Sequence, residues 1–385
     1  MEHLRTVDMW QESVQAHTMD RAVSHMIGVS AMTKRERYLA FANFRAVDRV
    51  PRRASYTQHL LEELTAHLGQ DPVRHFDMDT GGGAGLQPPE GFVAPDYSVY
   101  HPERTPGEDG FSIDAHGCGH LNHGFYHFTE YISPMARATR IEELEQYPIP
   151  SRADWLDDGM KKAADEAHAA GIHSQIFAGH MYEDAWQVRG YEPFLEDLLL
   201  RRDWAEVVLD KFCDNNLLVA EAAGRAGYDC LATGDDVANQ NAMMFHPDLW
   251  RQVMKPRWAK VIAAARAHKP DIHVWYHSDG NIWDILDDLV EIGITVLNPV
   301  QPECMDPLAI RKRFGSRLAF DGCIGTQTTF PFGTPEEMHR TVRDLGAALD
   351  AANGGLMLSP THVLEPEVPV ANVEAFFEAC NTLVV

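Results

Sequence analysis

Two stretches of this chain carry residues able to do chemistry. The first is Ile272-His273-Val274-Trp275-Tyr276-His277-Ser278-Asp279-Gly280. Its β-branched and aromatic residues read as a short buried strand ending in a polar tip. His277 and Asp279 are two apart, so an extended chain turns both to one side. An imidazole and a carboxylate on one side of a strand end can hold a divalent metal or run acid–base chemistry. The competing reading is a plain cap, with Asp279 as N-cap of the next helix. The second stretch is Leu356-Met357-Leu358-Ser359-Pro360-Thr361-His362, another apolar run that ends in a histidine. His277, Asp279 and His362 together make a ligand set that leaves positions open on a metal, with zinc the expected ion. Glu365, three residues past His362, is a candidate fourth ligand or an acceptor behind the ligands. Against this, buried His and Asp also pair with each other or with backbone.

Other polar residues fall where strands are expected to end: Glu183, Asp235, Asp236, Gln301, Asp321 and Cys323. Asp235 and Asp236 are candidate catalytic carboxylates, although one of them suits an N-cap for a segment starting near Asn239. Glu183 is a further catalytic candidate. Arg189 is a candidate anchor for an anionic substrate, and an interhelical salt bridge accounts for it equally well. Cys323 is a candidate nucleophile or ligand, against which a lone Cys after a strand is more often just buried. Asp114, His116, Cys118, His120 and His123 match no zinc spacing, which favours a solvated or lid role. Gly81-Gly82-Gly83-Ala84-Gly85 lacks the Lys-Ser/Thr of a phosphate loop.

The elements that must position these residues recur from about residue 142. A helix at 155–170 precedes a strand at 173–179, and helices at 184–200 and 203–226 precede a strand at 228–233. Helix 247–268 leads to strand 272–277, and helix 281–292 to strand 295–299. Helix 306–314 leads to strand 318–322, helix 335–352 to strand 356–359, and a last helix spans 370–381. Strand and helix alternating at this spacing predict a parallel sheet with crossover helices. Seven or eight such units close into a TIM-like (β/α)8 barrel, where polar residues at successive C-terminal strand ends converge. Thr33 followed by Glu36 predicts a capping box opening a helix to about Phe44. A first strand is expected near Arg52–Tyr56. Residues 86–135, rich in Gly, Pro, His and aromatics, predict a β-rich insertion over the barrel mouth. Residues 1–31 carry apolar positions at helical spacing, an N-terminal helical arm preceding a domain of residues 32–385. Burial of that stripe leads to an expected homodimer.

Composition narrows the classes. The 385 residues suit one large α/β barrel, and 45% hydrophobic content supplies its core. The formal net charge of −24, with no basic run, argues against a nucleic-acid binder. No apolar run approaches ~18 residues, so no membrane helix is expected, and Met1 to Met32 lack the apolar core of a secretory signal. The six cysteines are widely spaced with no C-x-x-C, which predicts reduced thiols and a cytoplasmic protein.

Several pieces occur together in an order that resembles the uroporphyrinogen decarboxylase superfamily, which includes the cobalamin-dependent methyltransferases. They are Thr33-Lys34-Arg35-Glu36-Arg37, Asp48-Arg49-Val50-Pro51, Gly234-Asp235-Asp236, Met254-Lys255-Pro256-Arg257, His277-Ser278-Asp279-Gly280-Asn281, Gly293 to Pro299, Gly354-Gly355 and Pro366 to Asn372. The resemblance spans about residues 32–382 and implies a TIM-like barrel with its pocket at the C-terminal face. True uroporphyrinogen decarboxylases carry a Met-Arg-Gln-Ala-Gly-Arg type motif after the first strand. Here that place reads Pro51-Arg52-Arg53-Ala54-Ser55-Tyr56, so porphyrinogen chemistry is not expected. The methyltransferase branch binds zinc through His-x-Cys and a later Cys. By position His277 matches the His, Asp279 replaces the first Cys, and His362 falls near the second. Losing the thiolates suits oxygen ligands better than a thiol such as coenzyme M. No obvious corrinoid-binding domain is present, so any cobalamin is expected on a partner protein. Three functions follow as expectations. One is methyltransferase-type group transfer on a small oxygen-bearing or methylated substrate. Another is metal-assisted decarboxylation of a small carboxylic acid. The third is non-catalytic binding of a small ligand.

Overall fold

The computed structural model describes residues 31–122, 126–127 and 129–383. The expected arm at 1–31 therefore lies outside the described residues except for its last position.

Strands β1 (Phe111–Ile113), β2 (Gly119–Asn122) and β3 (Thr129–Ile132) form an antiparallel sheet within the expected insertion. Strands β4 (Gln175–Phe177), β5 (Cys230–Gly234), β6 (His273–His277), β7 (Val296–Asn298), β8 (Ala319–Ile324) and β9 (Leu356–Pro360) form a parallel sheet in sequence order. Helices cover its outside, so β5, β7, β8 and β9 are buried at every residue. That double burial is why these strands read as apolar runs rather than alternating ones.

Two short extended segments join the ends of this sheet. Arg53 donates its backbone N–H to Leu358 O, and Leu358 N–H donates to Pro51 O. Asp79 N–H donates to Arg52 O, and Gly82 exchanges bonds with His173 and Gln175 beside β4. The ring thus runs from β9 through residues near Arg52, then through residues 79–82, and back to β4. This is the eight-membered, TIM-like arrangement expected from the strand–helix rhythm. The first strand is reduced to bridges at Arg52 and Tyr56.

Local chemistry explains most element boundaries. Thr33 and Glu36 form the capping box that opens the helix Lys34–Ala42. The expected helix at 184–200 is two helices, Tyr182–Arg189 and Tyr191–Leu200. Gly190, at φ 95°, makes the break, in a conformation that strains any other residue. The resemblance motif Asp48-Arg49 is structural. Asp48 binds Arg37, and Arg37 and Arg49 both bind Asp79, which is almost wholly buried.

Register then sets the mouth of the ring. Gly234 pairs with His277, and His277 with Asn298. A Cβ on Gly234 would lie 2.5 Å from His277 O, so only glycine allows these two strand ends to approach so closely.

Candidate metal centre and substrate cavity

Three side chains from two adjacent strand ends form the centre: Asp236 beyond β5, and His277 and Asp279 at the tip of β6. One donor atom from each lies within 4.8 Å of the others. Backbone bonds hold the carboxylate of Asp236 across the gap, because Asp279 N–H donates to its Oδ1 at 2.7 Å. Asp236 N–H in turn donates to Glu183 Oε1 at 2.9 Å, tying β5 to the helix Tyr182–Arg189.

The tautomer of His277 follows from its neighbours. Asn298 Nδ2 donates to Asp321 O at 2.7 Å, which leaves Asn298 Oδ1 as the acceptor facing the ring. His277 Nδ1 lies 2.5 Å from that oxygen and must carry the proton. Nε2 then faces Asp236 Oδ1 at 3.5 Å. A neutral Nε2 and a carboxylate oxygen are both acceptors and repel. The contact becomes favourable when a proton sits on Nε2 or a cation sits among the three groups. Burial opposes charge on His277, but the carboxylates of Asp236 and Asp279 outweigh it and raise its pKa. Burial pushes Asp279 up to about 6, with His277 pulling against the shift and Asp236 adding to it.

His362, beyond β9, places Nε2 3.8 Å from Asp279 Oδ2. Burial, with His127 and His277 nearby, holds its pKa below the ordinary value. A neutral His362 is a lone-pair donor at the edge of the cluster. Glu365 does not join the three; it pairs with His127 from the loop between β2 and β3. His127 also packs against His362, with ring centroids 4.4 Å apart. The insertion therefore reaches the barrel mouth.

A second group of possible donors, His180, Glu183 and Asp235, lies alongside. Asp235 is fully buried and accepts from Met181 N–H, Glu183 N–H and the Trp258 indole. It anchors the start of the helix Tyr182–Arg189, not a helix near Asn239, and has no face toward a substrate. Burial pushes its carboxyl up to about 8, against the pull of His180. Burial opposes charge on His180, but its hydrogen bond to Glu183 carries it up to about 10. Glu183 is held below its ordinary value because His180 outweighs the effect of burial. These residues position Asp236.

Arg189 is not brought to the mouth. Its Nε donates to Asp197 Oδ2 at 2.7 Å and its Nη1 to Met135 O, and the side chain is 2% exposed. Cys323 is buried, and burial pushes its thiol above the ordinary range. Asp114, Cys118 and His120 do come together. However, Asp114 accepts from His116 and Cys118 N–H and pairs with His120, organising a turn. The Cys118 thiol, pushed up to about 12 by burial, lies 3.4 Å from Gln187 O. His123 lies outside the described residues.

Sequence reasoning missed Asn298, His180, His127 and Arg53. His180 follows a strand end and could have been found by the rule that located His277. Asn298 was hidden inside an expected strand, and His127 inside the insertion. Arg53 binds Asp321 through Nε and Nη2, and Asp321 also accepts from Trp275 Nε1 and Ser359 Oγ.

Two cavities meet at His362. The larger, about 550 Å³, is bordered by Asp279, Gln301, His362 and Glu365. The smaller, about 270 Å³, lies over Arg53, Trp275 and His277. Two carboxylates and an imidazole beside an open cavity fit a divalent cation that prefers oxygen and nitrogen donors and keeps positions for another ligand.

A methyltransferase from Methanosarcina mazei shares the fold with TM-score 0.62 at 19% identity, covering 92% of this chain and 100% of that one. Xylanase 10B from Thermotoga petrophila RKU-1 aligns with TM-score 0.36 at 12% identity, over 64% of this chain and 85% of that one. No curated protein matches the sequence. The family model described as uroporphyrinogen decarboxylase (URO-D) matches residues 175–383, from β4 into the last helix and more than half of the chain. The chain thus belongs to the uroporphyrinogen decarboxylase family.

Proposed function

We propose that this protein is a metal-dependent group-transfer enzyme of the methyltransferase type, acting on a small oxygen-bearing or methylated substrate. The observation that carries the reading is His277. Its Nδ1 proton is committed to Asn298, and its Nε2 faces Asp236 beside Asp279. That arrangement is satisfied by a cation as it is by a proton on Nε2, and zinc suits the nitrogen and oxygen donors. When bound, the ion would supply Lewis acidity toward a substrate oxygen. The chain's own residues do the rest. Asn298 fixes the imidazole, Glu183 and the Asp279 N–H fix Asp236, and His362 presents a neutral ring nitrogen toward both cavities.

The methyl acceptor in this reading is a corrinoid delivered by a separate protein. The structural likeness to a protein named as a methyltransferase supports the choice, at the level of fold. The competing lyase reading grips a carboxylate with the metal or with a basic side chain, and the ion would serve it as well. Arg189, the candidate for that task, is committed to Asp197. Among the described lining of the larger cavity there is no Lys or Arg.

The test has two readouts. Elemental analysis and zinc titration of the purified protein should find one divalent ion, lost in His277→Ala and Asp236→Ala. Cob(I)alamin, kept reduced by a chemical reductant, should then be methylated from a methoxy compound, followed by its visible spectrum. Absence of zinc binding at every concentration tried would sink the metal reading. Zinc binding without methylation would sink the transfer.

A further inference from the structure

We infer that the larger cavity rejects anionic ligands and that Gln301 is the residue that holds the oxygen of the ligand it accepts. This rests on the site of the proposed function but not on its chemistry. Gln301 is 7% exposed and borders the cavity with Asp279 and His362. Among the described residues its side-chain amide has no hydrogen-bond partner, and neither amide atom is sealed from the cavity space. A buried amide left without partners costs about 1–3 kcal/mol unless a ligand or solvent satisfies it. Its backbone, by contrast, is firmly held, with Cys304 and Met305 N–H both donating to Gln301 O at 2.9 Å. The residue before it, Val300, is fully buried at φ 51°, a conformation that β-branched residues almost never adopt. Strain of this kind persists where the surrounding structure over-determines a position. Here it turns Gln301 into the mouth instead of letting the chain run on.

The charge of the wall sets the ligand class. Asp279, Glu365 and Glu367 border the cavity, and among its described lining there is no Lys or Arg. A divalent ion on Asp236 and Asp279 would cancel those two charges. The His127 contact at most cancels Glu365, so Glu367 stays unbalanced. Without the ion an anion therefore meets a negative wall, with Glu367 on its exposed side. Beside the imidazoles of His127 and His362, the remaining polar lining is amide and hydroxyl, with Gln301, Asn239, Thr326 and Thr361 among it. An amide both donates and accepts, so it pairs with a hydroxyl or an alkoxy oxygen without needing charge. Arg53, in the neighbouring smaller cavity, is matched by Asp321 and does not alter the balance.

The experiment is calorimetric titration with three ligands of one size and one methoxy group: 2-methoxyethanol, methoxyacetate and 2-methoxyethylammonium. The protein is used as purified, with and without chelator. In chelator methoxyacetate should bind weakest of the three, at least about tenfold below uncharged 2-methoxyethanol. Gln301→Leu should weaken 2-methoxyethanol about three- to tenfold, while Gln301→Arg should shift the preference to methoxyacetate. Thermal melts of both variants show whether they fold. If Gln301→Leu does not fold, the reversal in Gln301→Arg and the wild-type order still decide. Methoxyacetate binding as tightly as 2-methoxyethanol in chelator, or no binding by any of the three, overturns the inference. Zinc binding and methylation are scored separately, so failure of the proposed chemistry is distinguishable from failure of this charge preference.

Discussion

His277 Nδ1 and Asn298 Oδ1 lie 2.5 Å apart, across the pairing of β6 with β7. The bond settles which ring nitrogen is free and aims it at Asp236. Asn298→Leu removes the acceptor, and zinc affinity should fall by about 10–100-fold, the usual cost of losing a group that orients a ligand. Asn298→Asp keeps an acceptor at the same place and should retain most of the affinity. Both variants lose the donor to Asp321 O, so both should melt lower. Zinc titration therefore separates the two roles. Equal affinity in both variants would show that the orientation of the ring does not matter.

His362 sits at the edge of the cluster, 3.8 Å from Asp279. His362→Ala should lower metal content and activity together, less severely than His277→Ala. In chelator its unfolding free energy should stay within about 0.5 kcal/mol of the wild type, because the side chain is partly open to two cavities. Chemical denaturation in EDTA makes the measurement. A loss of several kcal/mol would instead mark it as a packing residue.

Arg189 and Asp197 form a pair that is 2% and 0% exposed. Arg189→Ala should destabilise the protein by about 3 kcal/mol, since it strands a buried carboxylate that keeps only Arg201 on its outer side. Arg189→Met with Asp197→Leu should recover most of that loss. Zinc affinity should not change in any of these variants. A direct effect on zinc affinity without loss of stability would return Arg189 to the site.

What was legible in the sequence follows from range. The strand–helix rhythm and the polar strand ends are local patterns, so β6, β9, His277, Asp279 and His362 could all be marked in advance. Register is not local. Only the pairing of Gly234 with His277 reveals that Asp236, read as a candidate catalytic carboxylate, stands within reach of the imidazole. Asn298 was invisible for the same reason. Arg189 and Asp197 are one short helix break apart, and a buried ion pair there has the same local spelling as an exposed anion anchor. Glu365 falls three residues from His362, but its partner comes from the insertion, which no periodicity connects to the barrel.

Two histidines away from the site weaken folding in acid. His173 stacks on Tyr38 and is 1% exposed, and burial lowers its pKa from 6.5 to about 4. His273 is lowered to about 4 by burial as well. The Asn43 amide donates to Leu39 O and lies 3.0 Å from His273 Nε2, a contact that needs an unprotonated nitrogen. The sign follows from linkage. Below about pH 6.5 the unfolded chain takes up a proton on each ring while the folded chain does not, so folding weakens as pH falls. The loss starts near pH 6.5 and levels off near pH 4, at about 1–3 kcal/mol for each histidine. Asp235 and Asp279, held above the ordinary carboxylate value, work the other way over the same range, so the share of the histidines is read as the difference between wild type and variant in chemical denaturation from pH 7.5 to 4.5. The double variant His173→Gln with His273→Gln should start less stable at pH 7.5 but fall less steeply. An unchanged slope in the double variant would assign the acid response to other groups.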